Sequence, residues 1–108
     1  MRLPTIKKSS EFSQIRNKGI FYKSPSFNGF LLKDSSTEKF VLGIVASKRL
    51  GNAVERNRAK RRTREAIRTS ALINTLNQVK IVLILKKTTL KVPFIDFKQD
   101  IEKFLSNE

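Results

Sequence analysis

The chain has 108 residues, 39% of them hydrophobic, with 23 Lys or Arg against nine Asp or Glu and a formal net charge of +14. That length suits one domain spanning 1–108, and so large a cationic excess puts nucleic acid first among partners and anionic membrane second. Cys and His are absent, which excludes disulfides, thiolate metal sites and the usual general bases and nucleophiles.

No apolar run nears the ~20 residues that span a bilayer, and the opening MRLPTIKKSS lacks the apolar stretch of a signal peptide. A cytoplasmic location is expected, with no membrane partner. The acids, Glu11, Asp34, Glu38, Glu55, Glu65, Asp96, Asp100, Glu102 and Glu108, form no close pair of the kind that clamps a metal. Asp96 and Asp100 sit four apart on a predicted helix, a spacing that suits a solvated face.

In chain order, Pro4 keeps the basic N-terminus extended. Ser9 and Ser10 are candidate caps for a short helix from about Ser10 to Lys18, stopped at Gly19, with Phe12 and Ile15 on its buried edge. Gly19 to Lys23 is a short strand ended by Ser24-Pro25. Ser26 to Lys33 is a second strand, with Phe27, Gly29 and Leu31 on one face and Asn28, Phe30 and Leu32 on the other. Asp34 to Glu38 forms a turn, and Lys39 to Ala46 returns as the antiparallel partner in a hairpin. Both faces of that third strand are apolar, so a central, covered position is expected.

It runs into Ser47–Arg68, which carries nine Lys or Arg against two Glu. Gly51 permits a sharp turn, and Asn52-Ala-Val-Glu55 is the Asn variant of a capping box. From Ala53 to about Ser70 nothing breaks a helix. At about 100° per residue, Asn57, Arg61, Arg64 and Arg68 share a stripe, while Ala59, Ala66 and Ser70 lie almost opposite, with Thr63 and Ile67 at their edge. The packing seat is slim and the cationic back broad. Solvated faces usually mix both signs of charge, whereas this one is nearly pure Arg and Lys. A polyanion relieves the resulting self-repulsion, and Arg's planar fork suits phosphates and base edges.

Ser70 to Gln78 either extends this helix through Leu72, Ile73 and Leu76 or packs back on the sheet. Lys80 to Lys87 is a buried strand, so strand, helix and strand make a βαβ unit with parallel neighbours. Thr88 to Val92 connects to a last helix with Pro93 in its first turn and Phe94, Phe97, Ile101, Phe104 and Leu105 as its core stripe. The predicted class is α+β, in the order α-β-β-β-α-β-α.

The run Lys48-Arg49-Leu50-Gly51-Asn52-Ala53-Val54-Glu55-Arg56-Asn57-Arg58-Ala59-Lys60-Arg61, followed by Arg64-Glu65-Ala66, closely resembles the signature of the bacterial ribonuclease P protein subunit. The coarser order of elements agrees over nearly the whole chain. The resemblance implies helices on a four-stranded sheet with a left-handed βαβ crossover, against the general preference. It implies a subunit of the endoribonuclease that removes the 5′ leader from precursor tRNA, with no protein catalytic residues. Catalysis would reside in an RNA that holds Mg2+, with no cofactor on the protein and no protein partner required.

The partners so implied are the catalytic RNA and precursor tRNA. Asn52, Arg56, Asn57, Arg58, Lys60, Arg61, Arg64 and Arg68 would dock on the catalytic RNA, Asn52 serving as cap, as RNA contact, or as both. Phe12, Arg16, Phe30, Lys48, Arg49 and Lys86 would line a cleft for the single-stranded leader. Phe27 and Phe40 fit the core better than a stacking platform. Phe12 and Phe30 fit either on sequence, and the resemblance turns Phe12 to the cleft. Two departures stand out. Arg16 replaces a second family aromatic one turn after Phe12, and Ala59, Arg62 and Thr63 occupy helix positions that are often Leu or Ile.

Two other classes fit the composition. A structural, ribosomal-type ribonucleoprotein would leave tRNA processing unaffected. A DNA-binding module lacks the second helix of a helix-turn-helix.

Overall fold

The computed structural model describes residues 3–6 and 8–106. Its elements are α1 (Ser9–Lys18), β1 (Ile20–Lys23), β2 (Phe27–Lys33), β3 (Phe40–Val45), α2 (Ala53–Arg68), β4 (Val79–Leu85) and α3 (Phe94–Leu105), with 3-10 turns at Ala71–Thr75 and Lys87–Leu90. This is the α+β order expected. The sheet order is β1-β2-β4-β3. β1 and β4 run antiparallel to β2, and β3 runs parallel to β4. The parallel β3-α2-β4 unit was legible in the sequence.

The β2–β3 hairpin is not formed, because β4 inserts between the two strands. The hairpin in this chain joins β1 to β2 instead, with Phe21 opposite Phe30 and Lys23 opposite Asn28. Nor is β3 central; it is the last strand of the sheet. Its outer backbone is covered by the N-terminal segment, where Ile6 N–H donates to Leu42 O and Leu42 N–H to Pro4 O, each at 3.0 Å. That pairing protects an edge that would otherwise be open, while the two apolar faces of β3 pack into the main core through Phe40 and Leu42 and into the α1 cluster through Val41. The central strand is β4, with Val79, Ile81, Val82, Leu83 and Leu85 buried.

One sheet face carries the main core. Phe27, Leu31, Phe40, Leu42, Ile81 and Leu83 meet Ala59, Ala66 and Ile67 of α2 and Phe97, Ile101 and Phe104 of α3. Phe27 and Phe40 are core, as expected. In α3 the predicted stripe holds except at its start, where Phe94 is 36% exposed; Pro93 is the N-cap rather than a residue of the first turn. Asp100 is not a solvated carboxylate, since it accepts hydrogen bonds from Ser24 Oγ and from Tyr22 Oη (3.3 Å). After α2 the chain breaks at Ser70, which accepts from Leu72 N–H and caps the first 3-10 turn. Ile73 and Leu76 are buried there, so this stretch packs back on the sheet rather than extending the helix.

The opposite face is covered only in part. α1 lies across β2 and β4, burying Ile15 against Val82 with Ile6, and leaving Phe12, Phe30, Leu32 and Ile84 half-buried. Ser9 and Ser10 fall inside the helix rather than capping it; Lys8 holds the cap position without a side-chain bond. An ion pair adds to this apolar seat. Lys80 Nζ, on the central strand beneath it, lies 3.6 Å from Glu11 Oε2 and 2.9 Å from Asp34 Oδ2.

The Asp34 carboxylate also accepts from Ser36 Oγ (2.6 Å) and Ser36 N–H (2.9 Å). The Ser36 hydroxyl, then Lys80, hold its pKa well below the ordinary carboxylate range. Because the folded carboxyl binds its proton more weakly than the unfolded one, this stabilisation is complete above a pH of about 4 and is withdrawn as pH falls toward the folded value. Lys80 is shifted up, chiefly by the Asp34 hydrogen bond, so its contribution holds below a pH of about 10 and disappears as pH rises through its folded value. Urea unfolding from pH 5 to pH 3 should therefore destabilise the native chain more steeply than Asp34→Asn. Parallel pH dependences would remove Asp34 from this role.

Candidate nucleic-acid interface

α2 begins as its sequence dictates. Asn52 Oδ1 accepts from Glu55 N–H (2.9 Å) and Glu55 Oε1 accepts from Asn52 N–H (3.0 Å), which completes the capping box. Gly51 adopts φ +155°, a conformation costly for residues with a Cβ. Ala59, Thr63, Ala66 and Ile67 form the packing seat. Thr63 fits this buried line by donating its hydroxyl to Ala59 O (2.8 Å).

Asn52, Asn57, Arg58, Arg61, Arg64 and Arg68 are exposed, and Arg56 and Lys60 half-buried at the flank. The eight residues thus lie along the back and side of one helix. Among the described residues, no carboxylate pairs with Arg56, Arg58, Lys60, Arg61 or Arg64, whereas Arg68 bonds to Glu65. The exposed guanidinium groups hold an array of donors with the fork geometry that phosphates accept.

Arg62 does something else. Its two terminal nitrogens donate to Thr89 O (2.7 Å) and Val92 O (2.6 Å), and its guanidinium lies 5.8 and 5.7 Å from the Phe94 and Phe97 ring centroids. Burial, then the neighbouring Arg58 charge, lowers its pKa from the ordinary value. Arg62 therefore clamps α2 to the β4–α3 connection and strengthens the thin apolar seat. Arg62→Ala strands two carbonyls and should cost about 2 kcal/mol, seen as a thermal midpoint lower by roughly 10 °C. An unchanged midpoint would discount the clamp. The spacing gave no warning of it, because both partner carbonyls lie about thirty residues downstream.

The predicted leader residues do not share one cleft. Phe12 lines a groove of about 670 Å³ along the β3 edge, with Leu3, Ile6, Gly43, Arg61, Arg64 and Arg68 among its walls. Its ring lies against Gly43 so closely that a Cβ there would sit 2.4 Å from it. Arg16 and Phe30 line a second groove of about 310 Å³ with Ser13 and Asn17. Lys48 and Arg49 are exposed in the β3–α2 turn and line neither groove. Lys86 is half-buried at the end of β4, its Nζ donating to Ser24 O (2.8 Å).

Sequence reasoning assigned Phe12 and the α2 arginines to different partners, yet they border the same groove. It also passed over Phe21, which is 52% exposed with its ring centroid 5.1 Å from that of Phe30. Only the cross-strand register brings that pair together. No helix among the described residues is long and apolar enough to cross a membrane.

The chain is similar to known proteins in sequence and fold. The Ribonuclease P family model matches residues 2–108. The ribonuclease P protein component of Gluconacetobacter diazotrophicus is 33% identical over 104 residues, covering 96% of this chain and 90% of that protein. The corresponding component of a Nitratiruptor species is 34% identical, covering 94% and 88%. Among solved structures, the ribonuclease P protein of Thermotoga maritima superposes with a TM-score of 0.82 at 25% identity, covering 96% of each chain. That of Staphylococcus aureus superposes with a TM-score of 0.81 at 27% identity, covering 97% and 94%. With the family model matched over nearly its whole length, the chain belongs to the ribonuclease P family and is a component of the ribonucleoprotein that processes precursor tRNA.

Proposed function

We propose that α2 and its entry turn dock on the RNA of ribonuclease P, while the uncovered sheet face beside α1 receives the single-stranded 5′ leader of precursor tRNA. One observation carries this reading: one small fold presents both a helix back of unpaired cations and half-covered aromatic rings, the two meeting at the groove that Phe12 shares with Arg61 and Arg64. Arg56, Arg58, Lys60, Arg61 and Arg64 neutralise backbone phosphates, displacing counterions and making affinity steeply salt-dependent. Asn57 supports them with a donor and an acceptor for a ribose or base edge, and Asn52 is first of all the cap. Phe30 and Phe12 offer rings to unpaired bases, a contact that tolerates sequence variation because every base has a π-face. Arg16, Lys48 and Arg49 supply the cationic track. Lys86 supports it from the end of β4.

The chain's own chemistry is binding and orientation. It has no His or Cys, and among the described residues no three acidic side chains gather into a group that could hold a metal ion. Phosphodiester hydrolysis is assigned to the RNA subunit and the Mg2+ it holds. The assembly works in the cytoplasm and needs no second protein.

Reconstitution tests this. With a bacterial ribonuclease P RNA at low Mg2+, the protein should stimulate leader removal severalfold or more. No stimulation, or cleavage by the protein alone, would overturn the reading.

A further inference from the structure

The start of α3 leaves an apolar surface beside the cationic helix. Ile95 is 65% exposed, Phe94 36%, and Val54, in the first turn of α2, 77%. Val54, Arg58 and Arg62 follow one another at steps of four residues and so form one ridge of α2. At the end of that ridge the Arg62 guanidinium lies 5.8 Å from the Phe94 ring centroid. This surface is separate from the grooves beside α1. Arg62 is turned roughly 100–160° around α2 from Arg61, Arg64 and Arg68, and no residue of α3 lines either groove.

Isolated apolar side chains are ordinary on a protein surface, but adjacent Phe94 and Ile95 against a cationic ridge are not isolated. Ile95 belongs to neither apolar cluster of the described residues. Arg62, itself held by Thr89 O and Val92 O, fixes the Phe94 ring from one side. A planar partner therefore meets a platform that needs little further ordering.

We infer that this surface seats one unpaired nucleotide of the catalytic RNA, its base stacked on Phe94 with Ile95 at the rim and its phosphate met by Arg58. This rests on the docking reading of α2 above and extends it onto α3. Folded RNAs splay out bases from loops and bulges, and aromatic side chains take them up. Charge selects the occupant. Arg58 and Lys91 are exposed around the patch against the single charge of Asp96, and no carboxylate of the described residues pairs with Arg58. A second copy of the chain would bring another net charge of +14 to the same place, whereas a nucleotide brings both a ring and an anion.

Stacking and phosphate contacts answer differently to salt, and that difference is the readout. Affinity for a bacterial ribonuclease P RNA is measured by filter binding across a salt series. Phe94→Leu should weaken binding on the order of tenfold, and Ile95→Ser severalfold. Both should leave the slope of log affinity against log salt unchanged, because an uncharged contact displaces no counterion. Phe94→Tyr keeps the ring and should bind like the native chain. Ile95 lies outside the core, so Ile95→Ser tests the surface even if Phe94→Leu loosens the Arg62 clamp. The chain has no Cys, so Ile95→Cys can carry a single tethered iron–EDTA group. The radicals it releases should cut the catalytic RNA over one short stretch and spare the leader of bound precursor tRNA.

Native affinity in both Phe94→Leu and Ile95→Ser, or scission confined to the leader, overturns the inference. If those two variants bind normally while the Arg58 and Arg61 double variant binds weakly with a flattened slope, α2 docks without α3. If the arginine pair is dispensable as well, the docking reading fails too. A native chain that dimerises, and that Ile95→Ser makes monomeric with RNA affinity intact, gives the surface to a second copy and also overturns the inference.

Discussion

Replacing Arg58 and Arg61 together with Ala should weaken binding to the catalytic RNA by ten- to a hundredfold and flatten its dependence on salt. Both side chains are exposed on the back of α2, and no carboxylate of the described residues pairs with either. If each meets a phosphate, removing the pair lowers the number of displaced counterions by two, and the slope of log affinity against log salt should drop by about 1.5. The fold should tolerate the change, because α2 is seated through Ala59, Thr63, Ala66 and Ile67 and clamped through Arg62. Filter binding across a salt series measures both quantities. An unaltered slope would move the docking surface off this stripe, and a fallen slope with intact affinity is not compatible with phosphate contacts.

Removing the aromatic faces should act on the substrate instead. Phe12→Leu and Phe30→Leu keep apolar volume against Gly43 and Val82 but lose the π-face. Each should lower the preference for precursor over mature tRNA by about tenfold, in keeping with ~1–3 kcal/mol per stacked base. Affinity for the catalytic RNA should stay near that of the native protein. Because the two rings line different grooves, the variants also ask whether the leader passes on one side of α1 or both. Loss with Phe30→Leu alone places it on the Arg16 side. Loss with Phe12→Leu alone places it in the groove bordered by Arg61, Arg64 and Arg68, which would then share in leader binding. Full discrimination in both would remove stacking from the mechanism.

Local chemistry made much of this molecule legible. The capping box, the uninterrupted helix and the slim seat of α2 follow from residues three and four apart, and all appear in the structure. The alternation of Phe27, Gly29 and Leu31 with Asn28, Phe30 and Leu32 set the faces of β2, and the apolar run at 81–85 marked a covered strand. The signature around Arg56-Asn57-Arg58 carried the family.

What failed were pairings across distance. A short turn between two strands argues for a hairpin, but a strand inserted between them obeys the same local rules. Whether β4 enters there is decided by how the helices cover the sheet. The edge position of β3 was hidden because the N-terminal segment shields it. Arg62 looked like one more cation until the carbonyls at Thr89 and Val92 came within reach of it.

The sequence by itself therefore determined the cationic helix, its cap and the apolar faces of the strands, since each depends on neighbours a turn or a strand apart. Only the tertiary structure decided which strands lie side by side, that Phe12 and Phe30 open on opposite flanks of α1, and that Phe94 comes to lie against Arg62. Those outcomes depend on long-range register and shared burial, which no local spacing encodes.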